Sequence, residues 1–361
     1  MRVLIAPDKF AGTLTAVEAA RAIADGWSRR APGDLLDLAP MADGGPGFVD
    51  VLHEALGGEL AVVTVTGPHH ERVPGAVLRL DHRAWVESAQ ACGLALTAGE
   101  RAESATTWGV GELVRHAIEA GATDIVVGLG GSGTNDGGAG LLGALGATAD
   151  RPLDEGAAGL NGVATVDLAP ARARLEGVTL TCASDVDNPL TGLFGATRSF
   201  GPQKGIPEDR LPAVDRILEQ LAAATDRRTS LEKGAGAAGG LGFALLLLGA
   251  GRTPGFDVVA DAVDLAGRAR TADLVLTGEG AFDFSSRSGK VPYGVATVAA
   301  EALRPCVALA GRVLVGSREM RALGIESAYS LVDLVGEERA LGDPAGSLAC
   351  LAERVARTWS R

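Results

Sequence analysis

The spacing of hydrophobic and polar positions changes several times along this chain, and each change marks an element. Val3–Ala6 is a short continuous apolar run, the pattern of a strand buried on both faces. Thr15–Arg29 repeats its apolar positions at helical spacing. Thr15 is placed to cap it, and Glu18 stands three residues later, as in a capping box. Strand Leu35–Pro40 and helix Gly47–Leu56 follow, so the chain opens β-α-β-α, the start of a parallel sheet. Glu59–Thr66, Val73–Leu80 and Ala84–Glu87 then read as an antiparallel meander turning at Gly67-Pro68 and Asp81-His82. Helix 106–120, strand 124–128, helix 138–146 and strand Thr179–Ala183 come next, with several helices between Pro207 and Ala269. The Gly/Ala-rich stretch Ala223–Ala238 reads as a mobile loop.

The parallel rhythm returns near the carboxyl end. Strands Leu274–Thr277, Val307–Ala310 and Ala328–Leu331 alternate with helices Pro292–Leu303, Ser317–Leu323 and Ser347–Thr358. The pattern predicts an α/β protein of two domains. One is a flavodoxin/Rossmann-like parallel-sheet domain formed by both chain ends (1–64 and 270–361). The other is an inserted mixed α/β domain (65–269). A length of 361 residues fits two cores better than one.

Charge and composition narrow the function. A net charge of −12 argues against a nucleic-acid or acidic-membrane surface, though local loops can still hold an anion. The cysteines (Cys92, Cys182, Cys306, Cys350) are far apart, with no CxxC, and read as buried thiols in a reducing compartment. The amino-terminal apolar run is too short for a signal peptide, and Leu241–Ala250 is too short to span a bilayer, so a cytoplasmic protein is expected. Lysine is scarce. Lys9, Lys204 and Lys290 sit in loops punctuated by glycine or proline, while Lys233 lies in a polar stretch that reads as surface.

Six loops carry candidate chemistry. The most informative is Asp124–Gly140, DIVVGLGGSGTNDGGAG, where a strand runs into glycines and then a helix. Such a loop can turn backbone N–H groups toward one anion beside a helix N-terminus. Its Gly128-x-Gly130-x-x-Gly133 matches a dinucleotide fingerprint, but no acid ends a clear second strand about 20 residues on. Asn135 and Asp136 suit a polar substrate or a hydrated cation better. The others are Ala6–Phe10, Ala42–Gly45, Ser184–Leu190, Phe200–Gly205 and Thr277–Asp283 continuing to Ser288-Gly289-Lys290. Asp8 and Asp43, taken singly, read as turn or cap residues. In a parallel sheet, however, the ends of the first two strands are neighbours, so Asp8, Lys9 and Asp43 should converge. Gln203 and Lys204 read as exposed on a rigid turn. The acids of Ser184–Leu190 suit a hard cation such as Mg2+, though Asn188-Pro189 also suits a plain turn. Together the loops supply acids, ammonium groups and glycine cradles, the parts that phosphoryl transfer requires. No histidine lies in them, which disfavours zinc hydrolysis and Ser-His catalysis.

In this order the loops resemble the type I glycerate kinase family. The matching segments are Ala6–Leu14, Ala42–Gly45, Gly130–Gly140 with Ala144–Gly146, Cys182–Leu190, Phe200–Gly205, Gly234–Gly242 and Gly278–Pro292. The resemblance covers nearly the whole length. It implies ATP- and Mg2+-dependent phosphorylation of D-glycerate to 2-phosphoglycerate, by a two-domain α/β enzyme with one flavodoxin-like domain split between the termini. On that reading Asp8, Lys9, Asp43 and Asp136 are the catalytic candidates. Gly44, Gly45, Ser132, Thr134 and Asn135 would bind the acid. Gln203, Lys204, Gly278, Glu279, Gly280 and Lys290 would bind ATP, and Asp185 and Asp283 would hold the metal. The expected partners are D-glycerate and nucleotide, with no nucleic acid or membrane, and a homodimer is left open. The rival readings are a kinase for another small hydroxy acid, a kinase forming 3-phosphoglycerate, a non-catalytic nucleotide-binding regulator, and an NAD-dependent enzyme suggested only by the GxGxxG match.

Overall fold

The computed structural model describes residues 1–283 and 290–360, so Ser288 and Gly289 of the sixth loop lie outside the described residues. In chain order the strands are β1 (Arg2–Ile5), β2 (Leu35–Leu38), β3 (Glu59–Thr66), β4 (Arg72–Leu80), β5 (Arg83–Glu87), β6 (Asp124–Gly128), β7 (Thr148–Ala149), β8 (Val166–Asp167), β9 (Thr179–Ala183), β10 (Gly251–Thr253), β11 (Leu274–Phe282), β12 (Cys306–Val313) and β13 (Ser327–Ser330). The chain divides into two compact units. The first comprises Met1–Asp43, Asp50–Leu56 and Phe256–Arg361, and the second Gly44–Val49 and Gly57–Gly255.

The first unit is built on a parallel sheet ordered β13-β12-β11-β1-β2. This is a doubly wound arrangement in which chain order reverses between β1 and β11, the position where such sheets open a crevice at their carboxyl ends. The strands are short and apolar because helices cover both faces. Val3, Ile5, Leu276 and Leu309 are fully buried, with Ile23 and Trp27 from the helix Ala16–Arg30 and Leu348 and Val355 from Pro344–Trp359 in the same core. Thr15 and Glu18 form the expected capping box at the start of the first of these helices.

The second unit holds a mixed sheet ordered β10-β9-β6-β5-β4-β3. β10, β9, β6 and β5 are parallel, and the expected meander adds β4 and β3 as antiparallel strands.

The structure departs from the sequence reading in four places. β3 pairs along its whole length with β4, from Glu59↔Arg79 to Thr66↔Arg72, so residues 59–64 go with the inserted unit. Residues 256–269 instead go with the terminal unit. The Gly278–Gly280 segment is not a loop: β11 continues to Phe282 because β12 extends beside it, in register from Gly278↔Leu309 to Phe282↔Val313. The stretch Ala223–Ala238 is not a mobile loop either. It contains the end of the helix Leu211–Ala224 and two short 3-10 turns, and Ala235, Ala237 and Ala238 are buried. Small residues there serve close packing rather than freedom.

Candidate active site

In the first unit, the loop after β1 does not leave the sheet at once. Asp8 N donates to Gly278 O at 2.8 Å, and Met41 N donates to Pro7 O at 2.9 Å, so the ends of β1, β2 and β11 are tied together. Thr277 Oγ1 adds a bond to Ala6 O at 3.0 Å. These links set Asp8, Lys9 and Asp43 side by side, as parallel adjacency of β1 and β2 requires. Lys9 Nζ lies 3.6 Å from Asp8 Oδ1 and 3.7 Å from Asp43 Oδ1. The backbone N–H of Lys9 also donates to Asp8 Oδ1 at 2.7 Å.

A cavity of about 450 Å³ opens over these strand ends, and Asp8, Lys9, Asp43, Glu279, Asp283 and Lys290 all line it. Lys290 stands at the start of the helix Val291–Glu301. Its Nζ lies 3.9 Å from both Glu279 Oε2 and Asp283 Oδ1. Asp8 is only 6% exposed. Burial pushes its carboxyl up to about 7; the Lys9 ammonium opposes this rise, and the negative charges of Asp43 and Glu279 add to it. The cavity therefore holds a carboxylate poised near neutral pH beside the Lys9 ammonium, with the Lys290 ammonium lining the same cavity. Gly278 is fully in the sheet: a Cβ there would stand 2.2 Å from Leu309 O, so this glycine serves the β11–β12 approach, while Glu279 and Gly280 reach the cavity.

The glycine-rich loop after β6 belongs to the second unit, and so do Gly44 and Gly45. Gly130 N donates to Gly44 O at 3.1 Å, and a Cβ on Gly130 would come 2.4 Å from Gly45 Cα, so the two loops lie backbone against backbone. Asp136 is completely buried and accepts four bonds. Thr107 N, Thr107 Oγ1 and Gly140 N donate to Oδ2 at 2.9, 2.8 and 3.2 Å, and Gly138 N donates to Oδ1 at 2.9 Å. Burial holds its carboxyl above the usual carboxylate range, with these donors opposing the rise. Asn135 Nδ2 donates to Thr197 Oγ1 at 2.9 Å, which leaves Asn135 Oδ1 buried without a hydrogen-bond partner.

Lys204 is not exposed on its turn, as the sequence suggested, but 2% exposed. Its Nζ donates to Ser132 Oγ at 3.0 Å and to Thr134 O at 2.7 Å, so this ammonium holds the Ser132–Asn135 segment. Burial pushes the ammonium down to about 8, against the pull of Cys92 and Asp136. Gln203, its neighbour, is exposed. Asp185 is half-buried just beyond the end of β9, whereas Asp187 is spent in ion pairs to Arg252 at 2.6 Å and Lys233 at 3.4 Å.

The structure thus groups Asp8, Lys9, Asp43, Glu279, Gly280, Asp283 and Lys290 around one cavity of the first unit. Within the second unit it groups Gly44 and Gly45 with the β6 loop, and Lys204 with Ser132 and Thr134. Sequence reasoning missed Thr107, which gives Asp136 two of its four bonds; its position just before the helix Trp108–Glu119 was the available signal. It also missed Arg312 and the apolar residues Leu331, Val332 and Leu341, which line the far side of the cavity.

The chain is similar to known proteins over nearly its whole length. The model of the Glycerate kinase family matches residues 3–360. The glycerate kinase of Bacillus subtilis is 40% identical over 348 residues, covering 92% of this chain and 90% of that protein. The glycerate 2-kinase of Escherichia coli is 37% identical over 349 residues, covering 93% and 92%. The crystal structure of a candidate glycerate kinase 2 from Salmonella typhimurium LT2 superposes with a TM-score of 0.82 at 37% identity, covering 99% of this chain and 98% of that one.

Proposed function

Since this chain belongs to the glycerate kinase family, we propose that it transfers the γ-phosphoryl group of ATP to the 2-hydroxyl of D-glycerate, forming 2-phosphoglycerate. The observation that carries this reading is the convergence of Asp8, Lys9 and Asp43 with Glu279, Asp283 and Lys290 on one cavity where the sheet order reverses. Phosphoryl transfer depends on positioning and charge neutralisation, and this set supplies both.

Asp8 accepts the hydroxyl proton. A base works best when its pKa lies near the operating pH, and Asp8 is raised to about 7. Lys9 holds Asp8 and Asp43 in place and neutralises the charge left after transfer. Asp136 is an anchor rather than a base, because its oxygens are committed to four donors that fix the start of the helix Ala139–Ala144. Lys204 acts through the Ser132–Asn135 segment that it holds, not through phosphate. Gly44, Gly45, Ser132, Thr134 and Asn135 remain assigned to the acid, with Asn135 Oδ1 an acceptor still to be used. Gln203 has no such tie and is left at the surface.

The described residues contain no group of three or more His, Cys, Asp or Glu placed to hold a metal. Mg2+ in kinases is commonly held by one or two carboxylates together with substrate phosphates. The donor set therefore fits: Glu279 and Asp283 would hold the ion in the first unit, with Asp185 the candidate in the second. When bound it would supply charge neutralisation at the phosphates.

Lys290 is assigned to the phosphate tail. Lys290→Ala is expected to raise KM for ATP by ~10-fold, the equivalent of about 1.4 kcal/mol, and steady-state kinetics with ATP varied would show it. The reaction itself is tested by incubating the protein with ATP, Mg2+ and D-glycerate and identifying the product by 31P and 1H NMR. A 3-phosphoglycerate signal would reverse the regiochemistry, and no turnover with a panel of 2-hydroxy acids would end the reading.

A further inference from the structure

The cavity of the first unit has two chemically different halves, and the strand order lays them out in sequence. Asp43 lies at the β2 side, and Asp8 and Lys9 at β1. Glu279, Asp283 and Lys290 lie at β11. Gly311 and Arg312 follow at β12. Beyond them, past β13, the lining is mostly apolar: Leu331, Val332, Ala340, Leu341 and Pro344, with Glu337 among them. These residues come from three helical segments, Leu331–Val335, Glu337–Gly342 and Pro344–Trp359. Most of the charge thus lies at one end and apolar side chains predominate at the other, where the Arg312–Glu337 ion pair sits beside them, and the midpoint is floored by glycine backbone at Gly280 and Gly311.

We infer that the apolar end, walled by Leu331, Val332 and Leu341, is the seat of the nucleotide's base, so that the donor lies across the strand ends with its phosphates toward Lys290 and Lys9. This rests on the reading of the protein as an ATP-dependent kinase. Three inter-strand spacings separate β13 from β1, about 14 Å, enough to set a ring and a terminal phosphate at opposite ends of one molecule. The glycines at the midpoint let a sugar approach the backbone. Leu331 is 2% exposed and fixes the wall, while Leu341 is 60% exposed at the rim, a large apolar side chain that a flat ring would cover. Arg312, ion-paired with Glu337, places a planar guanidinium on the same rim, suited to lie against a base.

The test separates base from phosphates. Leu341→Asp puts a charge at the rim without opening the core. ADP and inorganic tripolyphosphate are titrated by calorimetry into the wild-type protein and this variant. Leu303→Asp is the control, since Leu303 is 89% exposed and outside the cavity lining. ADP affinity is expected to fall at least ~10-fold in Leu341→Asp, with tripolyphosphate affinity and the control unchanged. Equal ADP affinity in Leu341→Asp and wild type overturns the base seat, as does a parallel loss of ADP and tripolyphosphate. Turnover of D-glycerate with ATP is read separately on the wild-type protein. Turnover together with a Leu341-independent ADP affinity removes the base seat alone. A Leu341-dependent ADP affinity without turnover leaves the base seat standing and removes the glycerate kinase reading.

Discussion

Asp8→Asn is expected to lower kcat for glycerate phosphorylation by ~10²–10⁴-fold and, at pH 8, to make the protein more stable than wild type. The two effects have one cause. Asp8 is buried beside Asp43 and Glu279, and its carboxyl is raised to about 7 despite Lys9. In an unfolded chain the same group titrates near ~4. Between those values the folded protein keeps a proton that the unfolded chain has released. Stability from this group is therefore complete below ~4, is lost as pH rises to about 7, and stays lost above it. Asparagine does not ionise, so the variant escapes that loss. Three pKa units set a ceiling of ~4 kcal/mol on the gain, and losing the Lys9 attraction reduces it. Urea denaturation at pH 5 and pH 8 should show the variant's advantage growing with pH.

The activity of the wild type runs the other way, rising with pH to a plateau above about 7 as the base ionises. Asp43→Asn gives the decisive comparison. If Asp8 is the base, removing its charged neighbour lowers its pKa, and the acidic limb of kcat/KM moves to lower pH with activity retained. If Asp43 is the base, that variant is inactive at every pH, and the assignment of Asp8 falls.

The convergence of Asp8, Lys9 and Asp43 was legible because it follows from a local rule. Two successive β-α units in a parallel sheet put their carboxyl-end loops side by side, and the loops are close in sequence. The insertion of β11 beside β1 pairs residues some 270 positions apart (Val3 with Leu274); only the return of the strand-helix rhythm after Asp273 hinted at it. Lys204 was misread for a physical reason. A lysine on a Gly/Pro turn belongs in water by default, and the two groups that let it be buried, Ser132 Oγ and Thr134 O, lie 72 and 70 residues away. Asp136 looked like a base because an acid in a glycine loop suits one. Its saturation depends on Thr107, 29 residues earlier, and on two amides whose direction is set only once the helix after it has formed. The apolar half of the cavity carried no signal at all, since Leu331–Leu341 has the composition of any short amphipathic segment.

The segment Gly234–Gly242 shows how far composition can mislead, and it supports the second large effect, Gly239→Ala. Gly239 has φ +69°, and a Cβ there would stand 2.0 Å from Thr134 O and 2.8 Å from Asn135 Cα. Its carbonyl accepts from Gly137 N at 3.0 Å, so this segment and the β6 loop are zipped through their backbones. Neither partner can yield cheaply. Thr134 O is one of the two acceptors holding the Lys204 ammonium, and Asn135 is tied to Thr197. Alanine should therefore cost the left-handed penalty of ~1 kcal/mol plus the displacement of buried backbone, at least ~3 kcal/mol in total. Gly249→Ala separates the two contributions. Gly249 has φ +89° with nothing within 4 Å of its Cβ position, so it reports the conformational penalty alone. Denaturant unfolding followed by circular dichroism should place Gly239→Ala well below Gly249→Ala. Whatever Gly239→Ala remains folded should carry a displaced Thr134–Asn135 segment, seen as a raised KM for glycerate, while ADP titration of the first unit's cavity stays as in wild type. Equal losses in the two glycine variants would mean that the β6 loop yields to an added methyl, and that the glycines of this segment are not what holds Thr134 and Asn135 in place.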